Sequence, residues 1–145
     1  MTASNAQAPS TLLTPVRVVG TLAFVSGQLP REQGELKYRG RVGDAVSLED
    51  AESAAALSAR ACLAALERAL GSRERIAAIV KLTGFVACTS EFTAQGKVID
   101  AASRVFIDEL GGTIGAHARS AIGVQQLPHG APVEIELIVA LREAA

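Results

Sequence analysis

Residues 118–141 read ARSAIGVQQLPHGAPVEIELIVAL, and the alternation within them decides how the chain folds. In the first half, Ser120, Ile122 and Val124 fall on one face of an extended strand, and Arg119, Ala121, Gly123 and Gln125 on the other. In the second half, Val133, Ile135, Leu137 and Val139 make an apolar stripe, with Glu134, Glu136, Ile138 and Ala140 opposite. Residues 127–132, with Pro128 and Pro132 around His129-Gly130, read as the connection of a β-hairpin that carries one cation and two carboxylates. If the apolar stripes share a face, Ile122 pairs with Leu137 and Val124 with Ile135. Arg119 and Glu134 then share the other face about six positions apart, roughly 20 Å at the usual strand rise. One ligand can touch both only where two subunits meet.

Ala121 and Gly123 are too small to fill the space beside Arg119, which leaves its guanidinium over a hollow. Arginine presents a planar fork of donors that matches a carboxylate bidentately and keeps its charge at any physiological pH. The position is therefore an anion seat, a solvated arginine, or one half of an ion pair with one of the glutamates. The hairpin by itself leaves all three open.

Upstream, residues 16–19 and 22–26 are short β-prone runs separated by Gly20-Thr21, a first hairpin. Residues 29–45 form a loop with Pro30, Gly34, Gly40 and Gly43 and a basic cast from Arg31, Lys37, Arg39 and Arg41. Ser47 with Asp50 three positions on starts a helix whose apolar residues Ala51, Ala55, Ser58, Cys62, Leu66 and Ala69 recur at three or four, and Gly71 stops it. Residues 76–86 make a strand with Lys81 and Thr83 on one face and Val80, Leu82 and Val86 on the other, free to lie parallel to a strand of the first hairpin by a crossover. Cys88 marks that strand's end, near a pocket. Ser90-Glu91 opens a second helix, which Gly111-Gly112 ends. The order ββαβαββ predicts an α+β fold, a mixed sheet with two helices packed on one face. The other face, apolar and charged together, is a candidate oligomer surface.

At 145 residues the chain suits one domain at 13–145, behind a flexible polar tail at 1–12 that lacks the apolar core of a secretory signal. A net charge of −1 shows no excess of basic residues to meet phosphates, so nucleic acid is not the expected main partner, although a local basic patch stays open. No apolar run reaches the roughly 20 residues that cross a bilayer, so no membrane is implied. Cys62 and Cys88 stand in no metal-ligand spacing and imply no disulfide framework, which suits a cytoplasmic protein. His117 and His129 are isolated, one at a strand edge and one in a turn. No metal or cofactor is called for.

Arg119-Ser120, Leu127-Pro128 and Glu134-Ile135-Glu136, with Ser26-Gly27-Gln28 near the start, resemble the Rid family, the YjgF-like enamine/imine deaminases. The similarity runs from about residue 13 to residue 141. It implies a YjgF/chorismate-mutase-like fold and a homotrimer, with ligand clefts between subunits. It also implies hydrolysis of 2-imino acids to 2-oxo acids and ammonia. Arg119 would clamp the substrate carboxylate and Glu134 would activate the attacking water; Ser26, Gly27 and Ala121 would line the pocket. Ala121 stands where characterised deaminases carry cysteine, and no tyrosine lies near Pro15-Val16 to close the pocket, so the hollow suits a bulkier ligand. The rival reading is a trimeric binding protein for small carboxylates with little turnover. A chorismate-mutase-like isomerase would also use arginine to hold carboxylates, whereas a ribonuclease is disfavoured by the charge balance.

Overall fold

A computed structural model describes residues 12–143. The tail expected at 1–12 lies outside the described residues except for Leu12. Strands β1 (Val16–Val19) and β2 (Leu22–Gln28) form the first hairpin, turning at Gly20, whose φ of 61° is one that glycine adopts without strain. Helix α1 follows at Leu48–Leu70. Ser47 caps it by accepting from the Asp50 N–H, and Gly71, left-handed at φ 82°, donates to Glu67 O to close its last turn. Strand β5 (Ile76–Ala87), helix α2 (Gln95–Leu110) and strands β6 (Ala118–Val124) and β7 (Val133–Leu141) complete the order.

The sheet is five-stranded and mixed, in the order β1-β2-β7-β5-β6, and both helices pack on one face, as the pattern predicts. The apolar stripe of β7 meets them. Val133, Ile135 and Val139 are fully buried with Leu137 and Leu82, against Leu63 and Leu66 of α1 and Ile99 and Phe106 of α2. Each such side chain contributes about 1.5–3 kcal/mol through burial.

The last two strands are not a hairpin. β5 lies between them, antiparallel to β7 and parallel to β6. The reason is α2, a crossover that returns the chain to lay β6 beside β5 in the same direction. The connection through residues 125–132, with a short 3-10 turn at Pro128–Gly130, then spans the end of β5. The two apolar stripes consequently do not share a face, and the Ile122–Leu137 and Val124–Ile135 pairings do not form. In the observed register Ile122 and Glu134 both face Phe85, and Ser120 and Glu136 both face Thr83. β5 does run in the direction of β2, since β7 is antiparallel to both, but it is not its neighbour.

Three local expectations also change. Residues 29–45 contain a small hairpin, β3 (Arg31–Glu32) with β4 (Glu35–Leu36), turning on Gln33 and Gly34, which both have positive φ. Val80 does not join Leu82: an irregularity between Ile79 and Lys81 buries Ile79 and leaves Val80 exposed. α2 starts at Gln95 rather than at Ser90-Glu91, because the Phe92 N–H turns back to Thr89 O and holds the preceding residues in a turn.

Candidate functional site

Glu134 leaves β7 on the face without helices, beside Phe85. The pairing of β2 with β7 shifts between Val25 and Gln28, so Ser26-Gly27 form a bulge close to it. Gly27 is what lets the carboxylate settle there, since a Cβ at that position would lie 2.0 Å from Glu134 Oε1. Partial burial, and then repulsion from Glu136, raise the Glu134 carboxyl above its ordinary value of 4.5. Ser26 faces the same side, but its hydroxyl donates to Thr14 O at 2.7 Å and so ties down the chain before β1.

Arg119 leaves β6 on the opposite face. Its register partner is Leu82, a core residue under the helices, so Arg119, Ala121 and Gly123 all point toward α2. The expectation that Arg119 and Glu134 share a face is corrected here. The two lie on either side of the sheet, three register positions and two strand spacings apart. Each offset is about 10 Å.

The hollow expected beneath Arg119 is spanned by its own ion pair. Its NH1 donates to Asp100 Oδ1 at 2.8 Å and to Ser103 Oγ at 3.1 Å, and NH2 to Gly96 O at 3.4 Å. The partner is thus an aspartate of α2 and not a glutamate of β7. Gly96, Asp100 and Ser103 recur at four and three along α2, a flank beside its apolar stripe, which was the signal available in the sequence. The Arg119 side chain keeps 26% of its surface exposed, and its Nε has no hydrogen-bond partner among the described residues.

Further along β6, a cavity of about 440 Å³ opens beside Gly123, lined by Arg41, Cys88, Ser90, Phe92 and Gln95. A Cβ at Gly123 would fall 2.8 Å from Gln95 Nε2 and 3.1 Å from Cys88 Sγ, so the glycine keeps this floor low. Gln95 Nε2 donates to Phe92 O at 2.9 Å and reaches Cys88 Sγ at 3.5 Å. Cys88 therefore does stand at a strand end by a pocket. Cys62 is buried, and burial pushes its thiol up, so it is a packing residue. Among the described residues, no group of three or more His, Cys, Asp or Glu could hold a metal ion.

Ser26, Gly27 and Glu134 thus gather on the open face, whereas Arg119 and Ala121 point toward α2. The family model described as Endoribonuclease L-PSP, that of the YjgF/Rid proteins, matches residues 4–141. The chain belongs to this family. Protein TCP17 of Trypanosoma cruzi is 35% identical over 136 residues, which cover 94% of this chain and 85% of that protein. A protein of unknown function from Agrobacterium tumefaciens has a similar structure, with a TM-score of 0.87 and 41% identity over 90% of this chain and 82% of that one. TdcF of E. coli, solved with bound serine, is similar at a TM-score of 0.63 and 26% identity, covering 95% and 91%. In this chain the arginine has an aspartate and a serine of α2 on one side and the small residues Ala121 and Gly123 beside it on its own strand.

Proposed function

We propose that the chain hydrolyses 2-imino acids, formed from their enamines, to 2-oxo acids and ammonia, in a homotrimer whose sites take Arg119 from one subunit and Glu134 from the next. The observation that carries this reading is the seat of Glu134. A partly buried carboxylate whose pKa is raised is a stronger base than a solvated one, and the bulge at Gly27 fixes where it points. Glu134 takes a proton from water as the hydroxide adds to the imine carbon, and the C=N electrons move to nitrogen. Glu134 hands that proton to the nitrogen, then takes the proton of the new hydroxyl and passes it on to the nitrogen as well, so that the C–N bond breaks and ammonia leaves as the carbonyl forms. Arg119, anchored through NH1, keeps its Nε edge for the substrate carboxylate.

Two features support assembly. The half-sites leave opposite faces of the sheet, so no single chain can close them on one small ligand. The open face also carries Leu22, Phe24 and Ile122, each about 40% exposed, around a polar centre where Lys81 Nζ donates to Ser120 Oγ at 2.9 Å. TdcF with its bound serine supports a ligand that carries a carboxylate and a nitrogen on the same carbon. Ala121 favours a bulkier one, and the free thiols of Cys62 and Cys88 a cytoplasmic setting.

The second reading, a trimeric binding protein for small carboxylates, is favoured by Asp100, which already balances much of the Arg119 charge. Release of ammonia and 2-oxo acid from imines generated in situ separates the two. Turnover lost in Glu134→Gln and kept in Glu136→Gln supports the enzyme; saturable 2-oxo acid binding without turnover supports the binding protein.

A further inference from the structure

Arg119 ends a continuous line of hydrogen bonds that begins at the backbone of Gly115. His117 Nδ1 lies 2.6 Å from Gly115 O, and His117 Nε2 lies 2.9 Å from Ser103 Oγ. Ser103 Oγ in turn receives Arg119 NH1 at 3.1 Å. A carbonyl oxygen only accepts, so His117 Nδ1 carries the proton. In the neutral ring Nε2 is then an acceptor, and the Ser103 hydroxyl donates to it. The serine's lone pair is thereby turned toward Arg119, and every bond in the line runs in one direction.

Both ends of the line are fixed. The Gly115 N–H donates to Gly111 O at 2.8 Å, and a Cβ at Gly115 would fall 2.3 Å from Phe106 O, so this backbone is pressed against the end of α2 where only glycine fits. The His117 ring stands edge-on to Phe106, with centroids 6.1 Å apart and planes at 84°. At the other end, Asp100 Oδ1 shares NH1 of Arg119 with Ser103, so two oxygens from one helix set the rotation of the guanidinium.

We propose that His117 is a positioning residue for Arg119. It acts through Ser103 to tie NH1 and to turn the Nε edge of the guanidinium toward the ligand carboxylate. This rests on the assignment of Arg119 as the carboxylate clamp. Without the imidazole acceptor, the Ser103 hydroxyl is free to turn to a carbonyl of its own helix, as serines within helices do, and the lone pair leaves Arg119. The influence of His117 on the ligand therefore passes through Ser103 alone, and the two residues must behave as one unit.

The test uses the full chain and pyruvate as probe. Nitrogen NMR of the ligand-free protein, at a pH where the ring is neutral, should show His117 with Nδ1 protonated and Nε2 bare. By calorimetry, Ser103→Ala and His117→Phe should each weaken pyruvate binding about fivefold, the worth of one ordinary hydrogen bond. The double variant should be no weaker than either single one, and Ser103→Thr, which keeps the hydroxyl, should bind as wild type does. A protonated Nε2 overturns the proposal without recourse to any variant. So does a double variant whose loss is the product of the two single losses. Unchanged binding in both single variants, with binding abolished by Arg119→Ala, overturns the relay and leaves the clamp standing. Unchanged binding in Arg119→Ala overturns the clamp, and with it the claim of His117 on the ligand.

Discussion

Gly27 and Glu134 meet so closely that a single methyl group on the glycine would lie 2.0 Å from the carboxylate oxygen. The clash falls on the far end of a flexible side chain, so Gly27→Ala should leave the melting temperature close to that of wild type and move the carboxylate aside. A general base displaced by about 1 Å loses up to about a hundredfold in rate. Steady-state imine hydrolysis on the folded variant should show this loss, and an unchanged rate would mean that the position of Glu134 does not matter. Gly84→Ala is the contrast. Its Cβ would fall 2.5 Å from Ile99 Cδ1 in the core, and overpacking there should cost about 1–3 kcal/mol of stability.

Glu134 also makes a pH-dependent contribution to stability. Its folded carboxyl titrates above the ordinary value of 4.5, so below that value it is protonated in both states and costs nothing. As pH rises, the unfolded chain ionises first while the native state still holds the proton, and stability falls until the folded group has also ionised. Glu134→Gln should therefore melt higher than wild type at neutral pH, with the gain vanishing in acid below the ordinary carboxylate range. Thermal melts at the two pH values would show it, and an equal gain at both would contradict it.

Arg119→Lys keeps the charge and the ion pair with Asp100 within reach, but a lysine cannot make two parallel hydrogen bonds to a carboxylate. Pyruvate affinity measured by calorimetry should fall about tenfold or more, in line with the loss of one charge-assisted bond of a bidentate pair. Unchanged affinity would assign Arg119 to the architecture of α2 alone.

Phe24→Asp places a charge on the open face beside Lys81, Thr83 and Glu136, with which Phe24 lines a cavity of about 160 Å³. Light scattering should show monomers with native helical content, and imine hydrolysis should be lost although no proposed site residue is touched. A trimer that survives this change would place the interface elsewhere.

Period and caps carried most of the fold. The α1 boundaries, the buried stripe of β7 and the alternation of β6 are all legible in local residues. What local residues do not encode is which strands become neighbours. The apolar stripes of β6 and β7 fit a hairpin as well as they fit strands separated by β5, and α2 decides between these through the crossover it imposes. The strand placement also sets which face Arg119 takes, and Asp100 and Ser103, distant in sequence, become its partners only once β6 lies beside β5. Ser26, Gly27 and Glu134 were legible as a group through resemblance alone. The reason for Gly27, the space taken by a carboxylate over a bulge, belongs to the three-dimensional pairing of β2 with β7.

The most direct test of a site shared between subunits mixes two inactive proteins. Arg119→Ala supplies an intact Glu134 and Glu134→Gln an intact Arg119, so every mixed ring of three contains one interface where both native residues meet. Unfolding and refolding the two variants together at equal amounts should restore about a quarter of wild-type imine hydrolysis, since about three-quarters of the trimers are mixed and each regains one site in three. Each variant refolded alone should stay inactive. If the mixture is as inactive as its components while mass spectrometry shows mixed trimers, the two residues do not serve one site across a subunit boundary, and the account fails.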